Sequence, residues 1–114
     1  LGACTCLMRA PIGRVNSAPG GQEFTSGMFE EAIAVATASG FPPDQEARER
    51  ANALVATTTA ATTTSLYWDL THGNPVEAEH VIGDLVARGR ELGVPTPLFS
   101  LAYTHLCVYE AGRD

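Results

Sequence analysis

Asn74-Pro75-Val76-Glu77-Ala78-Glu79-His80-Val81-Ile82-Gly83-Asp84-Leu85-Val86-Ala87-Arg88-Gly89-Arg90-Glu91-Leu92-Gly93 is a helix written out from its cap to its stop. Asn at the cap, Pro at the first helical position and Glu at the third form a variant of the capping box. Ala78, Val81, Ile82, Leu85, Gly89 and Leu92 then recur as an apolar stripe at helical spacing. Asp84 and Arg88 make an i,i+4 pair on the wet side, worth about 0.3 kcal/mol. Gly93 ends the helix, Val94-Pro95-Thr96-Pro97 turns the corner, and Leu98, Leu101, Ala102, His105 and Tyr109 pattern a last helix.

Upstream the same period continues. Leu1 to Arg9 is rich in apolar and small residues and reads as the middle of a helix, ended by Pro11. Ile12 to Pro19 reads as an irregular passage, with Pro19-Gly20-Gly21 as turn chemistry. From Glu23, the residues Phe24, Met28, Ala32, Val35 and Ser39 recur at helical spacing until Gly40. Asp44 is an N-cap for a helix through Ala47, Leu54 and Val55, expected to run into the Thr/Ala stretch as far as about Thr63. The whole is an all-α helical bundle of roughly four to six helices, without a sheet.

The bulk properties narrow the function. A chain of 114 residues, 45% of them apolar, makes one globular domain with one core, spanning 1–114. A net charge of −6 argues against nucleic acid or an anionic membrane as partner, because both select a basic face. Three cysteines, Cys4, Cys6 and Cys107, form no Cys-x-x-Cys and no Cys/His set at zinc spacing, so no metal site is expected. Reduced thiols suit a cytoplasmic protein. No Gly-x-Gly-x-x-Gly follows a strand, and all seven basic residues are arginine.

The segment Thr64-Ser65-Leu66-Tyr67-Trp68-Asp69, followed by Val76-Glu77-Ala78-Glu79, Gly83 and Gly93-Val94-Pro95-Thr96-Pro97, resembles the C-terminal domain of the ketopantoate reductase (2-dehydropantoate 2-reductase) family. The resemblance covers nearly the whole chain. It implies a helical substrate domain of the 6-phosphogluconate-dehydrogenase C-terminal type and an upstream Rossmann domain that holds NADPH. The implied reaction is reduction of a 2-keto acid, ketopantoate in the family's name. It further implies that Ser65 contacts the substrate carboxylate and that Glu77 faces the interdomain cleft near the cofactor, with Asp69 beside the substrate. The family's general acid is a lysine, which would align just upstream of Leu1. On that alignment the chain begins after its own catalytic acid and is inactive alone. Relatives dimerise, so a homodimer is a further implied partner.

Each candidate also has a local explanation. Ser65 is a hydroxyl that can donate to an anion without bringing charge, but it also suits the cap of a short turn, with Asp69 solvated. Both are expected just outside regular helix. Glu77 completes a capping box whatever else it does. His72, His80 and His105 lack metal spacing on one face and are read as structural or solvated. Tyr67, Trp68, Met8, Met28 and the phenylalanines are read as core. Where many family members carry amides, this chain has Gly2 and Thr62, which changes the groups the pocket can satisfy. Two alternatives stay open: a non-catalytic helical dimerisation module, and a reductase of the same architecture acting on a different 2-keto acid.

Overall fold

A computed structural model describes residues 1–76 and 79–113. The all-α expectation is borne out: no strand occurs among the described residues, which form seven α-helices and one π-helical turn. The α-helices are α1 (Gly2–Met8), α2 (Ile12–Ser17), α3 (Gly21–Ala38), α4 (Gln45–Ala56), α5 (Ser65–Thr71), α6 (Asp84–Leu92) and α7 (Pro97–Ala111). The π-helical turn, Glu79–Gly83, leads directly into α6. α3 lies at the centre, packed on α1, α2, α4, α6 and α7, while α1 joins α5 to α7. The core is built from Cys4, Cys6, Ile12, Met28, Leu70, Ile82, Val86, Ala102 and Leu106.

Several local expectations hold because the residues that end helices act alone. Asp44 Oδ1 accepts the Ala47 N–H at 2.8 Å and opens α4. Gly40 and Gly93 take left-handed φ of 89° and 72°, and after each the next N–H reaches back five residues. Phe41 N bonds Ala36 O at 2.9 Å, and Val94 N bonds Gly89 O at 2.8 Å.

Four expectations about the elements fail, the first two to contacts from elsewhere in the chain. Ile12–Ser17 is helix α2, not an irregular passage. α4 stops at Ala56 instead of running to Thr63, and Thr57 is extended. The two failures share a cause. Residues 57–64 lie as a strap across the start of α2, where Gly13 N donates to Ala60 O at 2.9 Å and Ile12 N to Thr62 O at 3.1 Å. Asn16 Nδ2 meets Leu54 O at 2.7 Å and Thr57 O at 2.8 Å, and Ser17 Oγ meets Thr58 O at 3.2 Å. The approach needs glycine at 13, since a Cβ there would sit 2.6 Å from Ala60 O. A β-branched threonine run has little helix preference with which to resist.

Third, Ser65 and Asp69 lie within α5 rather than outside it, because Thr64 takes an extended backbone and its Oγ1 accepts the Tyr67 N–H at 3.2 Å. Fourth, among the described residues the helix read from Asn74 to Leu92 is α-helical only from Asp84. The π turn admits an extra residue and rotates the helix after it. Ile82, Val86 and Gly89 are buried, Leu85 is half-buried and Leu92 is exposed. Among described residues Asp84 and Arg88 form no ion pair. Met8, Phe41 and Trp68 are exposed rather than core; Trp68 stacks on His72 instead, ring centroids 3.5 Å apart.

Candidate active site

The first turns of α1 and α5 meet edge to edge. A Cβ on Gly2 would lie 3.3 Å from Leu66 Cδ2 and 3.4 Å from Thr64 Oγ1. Position 2, which carries no side chain here, is therefore seated against the cap that starts α5. Ser65 is the first residue of α5 and is exposed, with its hydroxyl at the end where helix N–H groups point outward. The strap decides where that end falls, since it delivers Thr64 to the seam after docking on α2. Thr62, the other position where family members carry an amide, is exposed, and its carbonyl is occupied by Ile12 N.

Asp69 comes four residues after Ser65 and so shares its helix face. It is half-buried and closes the turn after α5. Its Oδ1 accepts from Asn74 Nδ2 at 3.4 Å, and its backbone carbonyl accepts Asn74 N at 2.8 Å. Support of this turn, rather than a free solvated carboxylate, is what Asp69 provides in the structure.

The capping box read from Asn74 to Glu77 reaches into residues outside those described. The Asn74 side-chain nitrogen donates to Asp69 Oδ1, and the Asn74 carbonyl accepts the Tyr109 hydroxyl at 2.7 Å. The N–H of Val76 goes to the carboxylate of Glu110, on the last turn of α7. Arg113 Nη1 lies 3.5 Å from the other Glu110 oxygen, and Arg113 Nε donates to Gly73 O at 3.2 Å. Glu77, the next residue after Val76, lies outside the described residues, so its side chain is not placed. The structure thus brings Ser65 and Asp69 onto one helix and ties the approach to Glu77 to α7.

Tyr109, Glu110 and Arg113 carry no family spacing that marks them as site residues in the sequence. One signal was available for Glu110: an acid in the last turn of a helix opposes the helix dipole and calls for an outside partner. Glu31 is a parallel case. From mid-α3 its two oxygens accept Leu98 N at 2.9 Å and Phe99 N at 3.0 Å, capping α7 from another helix.

The remaining candidates fall away from the site. His72 Nδ1 lies 2.9 Å from Trp68 O, and His80 is exposed. His105 Nε2 is buried with no hydrogen-bond partner among the described residues. No group of three or more His, Cys, Asp or Glu is disposed around a metal position among the described residues. Burial pushes the Cys4 thiol up and the Cys6 thiol up to about 11, so both stay protonated packing groups at neutral pH.

Comparison with known proteins shows the family and the fold. The family model "Ketopantoate reductase PanE/ApbA C terminal" matches residues 1–110. An uncharacterized oxidoreductase, YkpB, of Bacillus subtilis (strain 168) is 23% identical over 109 residues, which is 96% of this chain and 36% of that protein. A crystal structure of a PanE/ApbA family ketopantoate reductase from Ralstonia eutropha JMP134 superposes with a TM-score of 0.84 at 25% identity, over 98% of this chain and 37% of the other. A dimeric ketopantoate reductase from Staphylococcus aureus gives 0.81 at 22% identity, over 98% and 39%. D-mandelate dehydrogenase with NADH and anilino(oxo)acetate gives 0.77 at 16%, over 96% and 46%, a likeness of fold. The chain spans little more than a third of the length of its Bacillus and Ralstonia relatives.

Proposed function

The chain belongs to the ketopantoate reductase PanE/ApbA C-terminal family, and from that premise we propose that it is the substrate-facing helical domain of an NADPH-dependent 2-keto-acid reductase. The observation that carries the reading is the seam at which the first turns of α1 and α5 meet, with exposed Ser65 at its mouth and Asp69 on the same helix face. Ser65 donates its hydroxyl to the substrate carboxylate, an anion favoured at a helix N-terminus. Glu77 orients substrate or cofactor across the cleft. NADPH, held by an upstream Rossmann domain, supplies hydride to the carbonyl carbon. A lysine upstream of Leu1 neutralises and protonates the carbonyl oxygen, which yields the 2-hydroxy acid.

The bare position at Gly2 bears on which acid is reduced. A site without that amide cannot satisfy a substrate hydroxyl there, and an unpaired polar group costs enough to redirect specificity. Ketopantoate, the step toward pantothenate, is one candidate, and a 2-keto acid without a hydroxyl at that place is the other. Sparse free cysteines suit an enzyme that works in the cytoplasm. No helix among the described residues is long and apolar enough to cross a membrane. A homodimer fits the exposed Leu101 and Val108, seven residues apart on α7. The same stripe is what favours the second reading, a dimerisation module without catalysis.

The test is NADPH oxidation by the full-length protein against ketopantoate and a panel of 2-keto acids. Ser65→Ala and Glu77→Ala are expected to lower turnover at least about tenfold, the scale of one lost charge-assisted contact, with unchanged thermal unfolding. Full turnover in both variants refutes the site. No turnover by the unmodified protein on any acid, from a well-formed dimer, favours the module.

A further inference from the structure

Ser65 is not alone on its face of α5. Trp68 and Asp69 follow it by three and four residues and His72 by seven, so the four share one side of the helix. We infer that Trp68 is the specificity-determining wall of the substrate site, and that the acid reduced carries an aromatic or other flat apolar group beyond its keto carbon. The inference rests on the proposed contact of Ser65 with the substrate carboxylate and leaves the reaction itself unchanged.

Single exposed apolar residues are ordinary on a protein surface and by themselves mark nothing. Trp68 differs in place and in rigidity. Met8, Phe41, Leu92, Leu101 and Val108 are the other exposed large apolar side chains among the described residues, and none of them lies on α5. The indole is 59% exposed, yet it is held. His72 stacks on it with ring centroids 3.5 Å apart and planes inclined by 22°. Nδ1 of the same imidazole lies 2.9 Å from the Trp68 carbonyl, which can only accept, so Nδ1 carries the hydrogen and donates it. His72 stands seven residues from Ser65, roughly 10 Å along the axis, and acts on the site only by backing the ring. One face of the indole is thus taken by the imidazole, and the rest of the ring is open.

An aromatic ring held in place before its partner arrives gives up little freedom on binding, so more of the contact is realised as affinity. Trp68 stands roughly 4.5 Å along the axis from Ser65. That rise is comparable with the reach from the carboxylate of a 2-keto acid to a ring carried on its third carbon. The seam beside Ser65 is apolar as well. Gly2 offers no side chain there, and the nearest atom to a Cβ at that position is Leu66 Cδ2, at 3.3 Å. A substrate hydroxyl finds no amide at position 2 to pair with, whereas a flat apolar group asks only for surface. The bare seam and the braced indole therefore select in the same direction.

The experiment uses the full-length enzyme with NADPH and three acids: phenylpyruvate, ketopantoate and pyruvate, which has no side chain to stack. The unmodified enzyme is expected to reduce phenylpyruvate with a kcat/KM at least about tenfold above that for ketopantoate. Trp68→Ala is expected to lower kcat/KM for phenylpyruvate at least about tenfold more than for pyruvate. Trp68→Phe keeps a ring and is expected to recover much of that ratio. His72→Ala leaves the indole unbacked and is expected to lower the same ratio roughly two- to tenfold, the worth of one aromatic stack. A merely structural role of either residue would leave the ratio unmoved. Equal losses on phenylpyruvate and pyruvate in Trp68→Ala, or a weaker dimer with the ratio unchanged, overturn the inference and assign the indole to the upstream domain or to a second copy. A preference of the unmodified enzyme for ketopantoate overturns it too. Ser65→Ala separates the two levels of the reading. Full turnover in Ser65→Ala removes the site on which the inference rests, whereas a loss there beside an unmoved ratio in Trp68→Ala removes only the wall.

Discussion

Asn16→Ala is the substitution whose cost can be worked most directly from the structure. Asn16 is 5% exposed and uses all of its side-chain amide. It donates to Leu54 O at 2.7 Å and Thr57 O at 2.8 Å, and accepts the Thr25 hydroxyl at 2.8 Å. Truncation removes three hydrogen bonds at about 1 kcal/mol net each. Thr25 retains Gly21 O as an acceptor at 3.0 Å, so its share is recovered in part. The two carbonyls have no such reserve, and the expected loss is about 2–3 kcal/mol. For a chain of this size that lowers the unfolding temperature by roughly 10 °C. The loss is also local, because α4 buries no residue fully and is held at its C-terminal end by these bonds. Thermal unfolding followed by circular dichroism reads the magnitude, and amide hydrogen exchange reads the place. Exchange is expected to quicken in α4 and in residues 57–64 while α7 stays protected. A fall below about 1 kcal/mol, or quickening spread evenly over all helices, would refute the claim that Asn16 pins the strap.

Packing and titration give two further outcomes. Gly13→Ala puts a methyl group 2.6 Å from Ala60 O and 2.8 Å from Ala60 N, both backbone, so it is expected to cost about 1–3 kcal/mol and to raise KM in the full-length reductase by shifting Thr64 and Ser65; a denaturation midpoint equal to that of the unmodified protein contradicts it. Cys6 holds its proton up to about 11, above the ordinary thiol value of 9.0, so between those values the unfolded chain has released a proton that the folded chain keeps. Folding stability therefore falls with rising pH across that window and is untouched below it. Urea midpoints measured against Cys6→Ala are expected to show the unmodified protein losing ground from about pH 9 upward, and parallel curves would remove the thiol from the account.

What could be read from the sequence was whatever a few adjacent residues decide by themselves. Asp44, Gly40 and Gly93 each begin or end a helix through atoms within one turn, and all three do so as expected. Among the elements misread, the start of α5 turns on a local cap, Thr64 Oγ1 on the Tyr67 N–H, whereas around α2 a distant residue outbids the local preference. The threonine run of 57–64 stays extended because Gly13, Asn16 and Ser17 hold it. α2 is helical because that strap satisfies its first N–H groups. The Val76 N–H is held by Glu110, 34 residues away.

The candidate site divides along the same line. Ser65, Asp69 and Glu77 were legible as spacing in a family pattern, but spacing says nothing of what holds them. For Ser65 the neighbours that matter are α1 at Gly2 and, through the strap, α2, both far away in sequence. Gly2 shows the limit in a single residue. As a sequence position it is an absence, a glycine where relatives carry an amide. In the fold a Cβ at this position would lie 3.3 Å from Leu66 Cδ2 and 3.4 Å from Thr64 Oγ1, so restoring a side chain there would press on the turn that starts α5. A Gly2→Asn substitution would therefore change the position of Ser65 and the polarity of the pocket together. On the proposed function the choice of keto acid would depend on both, which is why these positions cannot be interpreted one at a time.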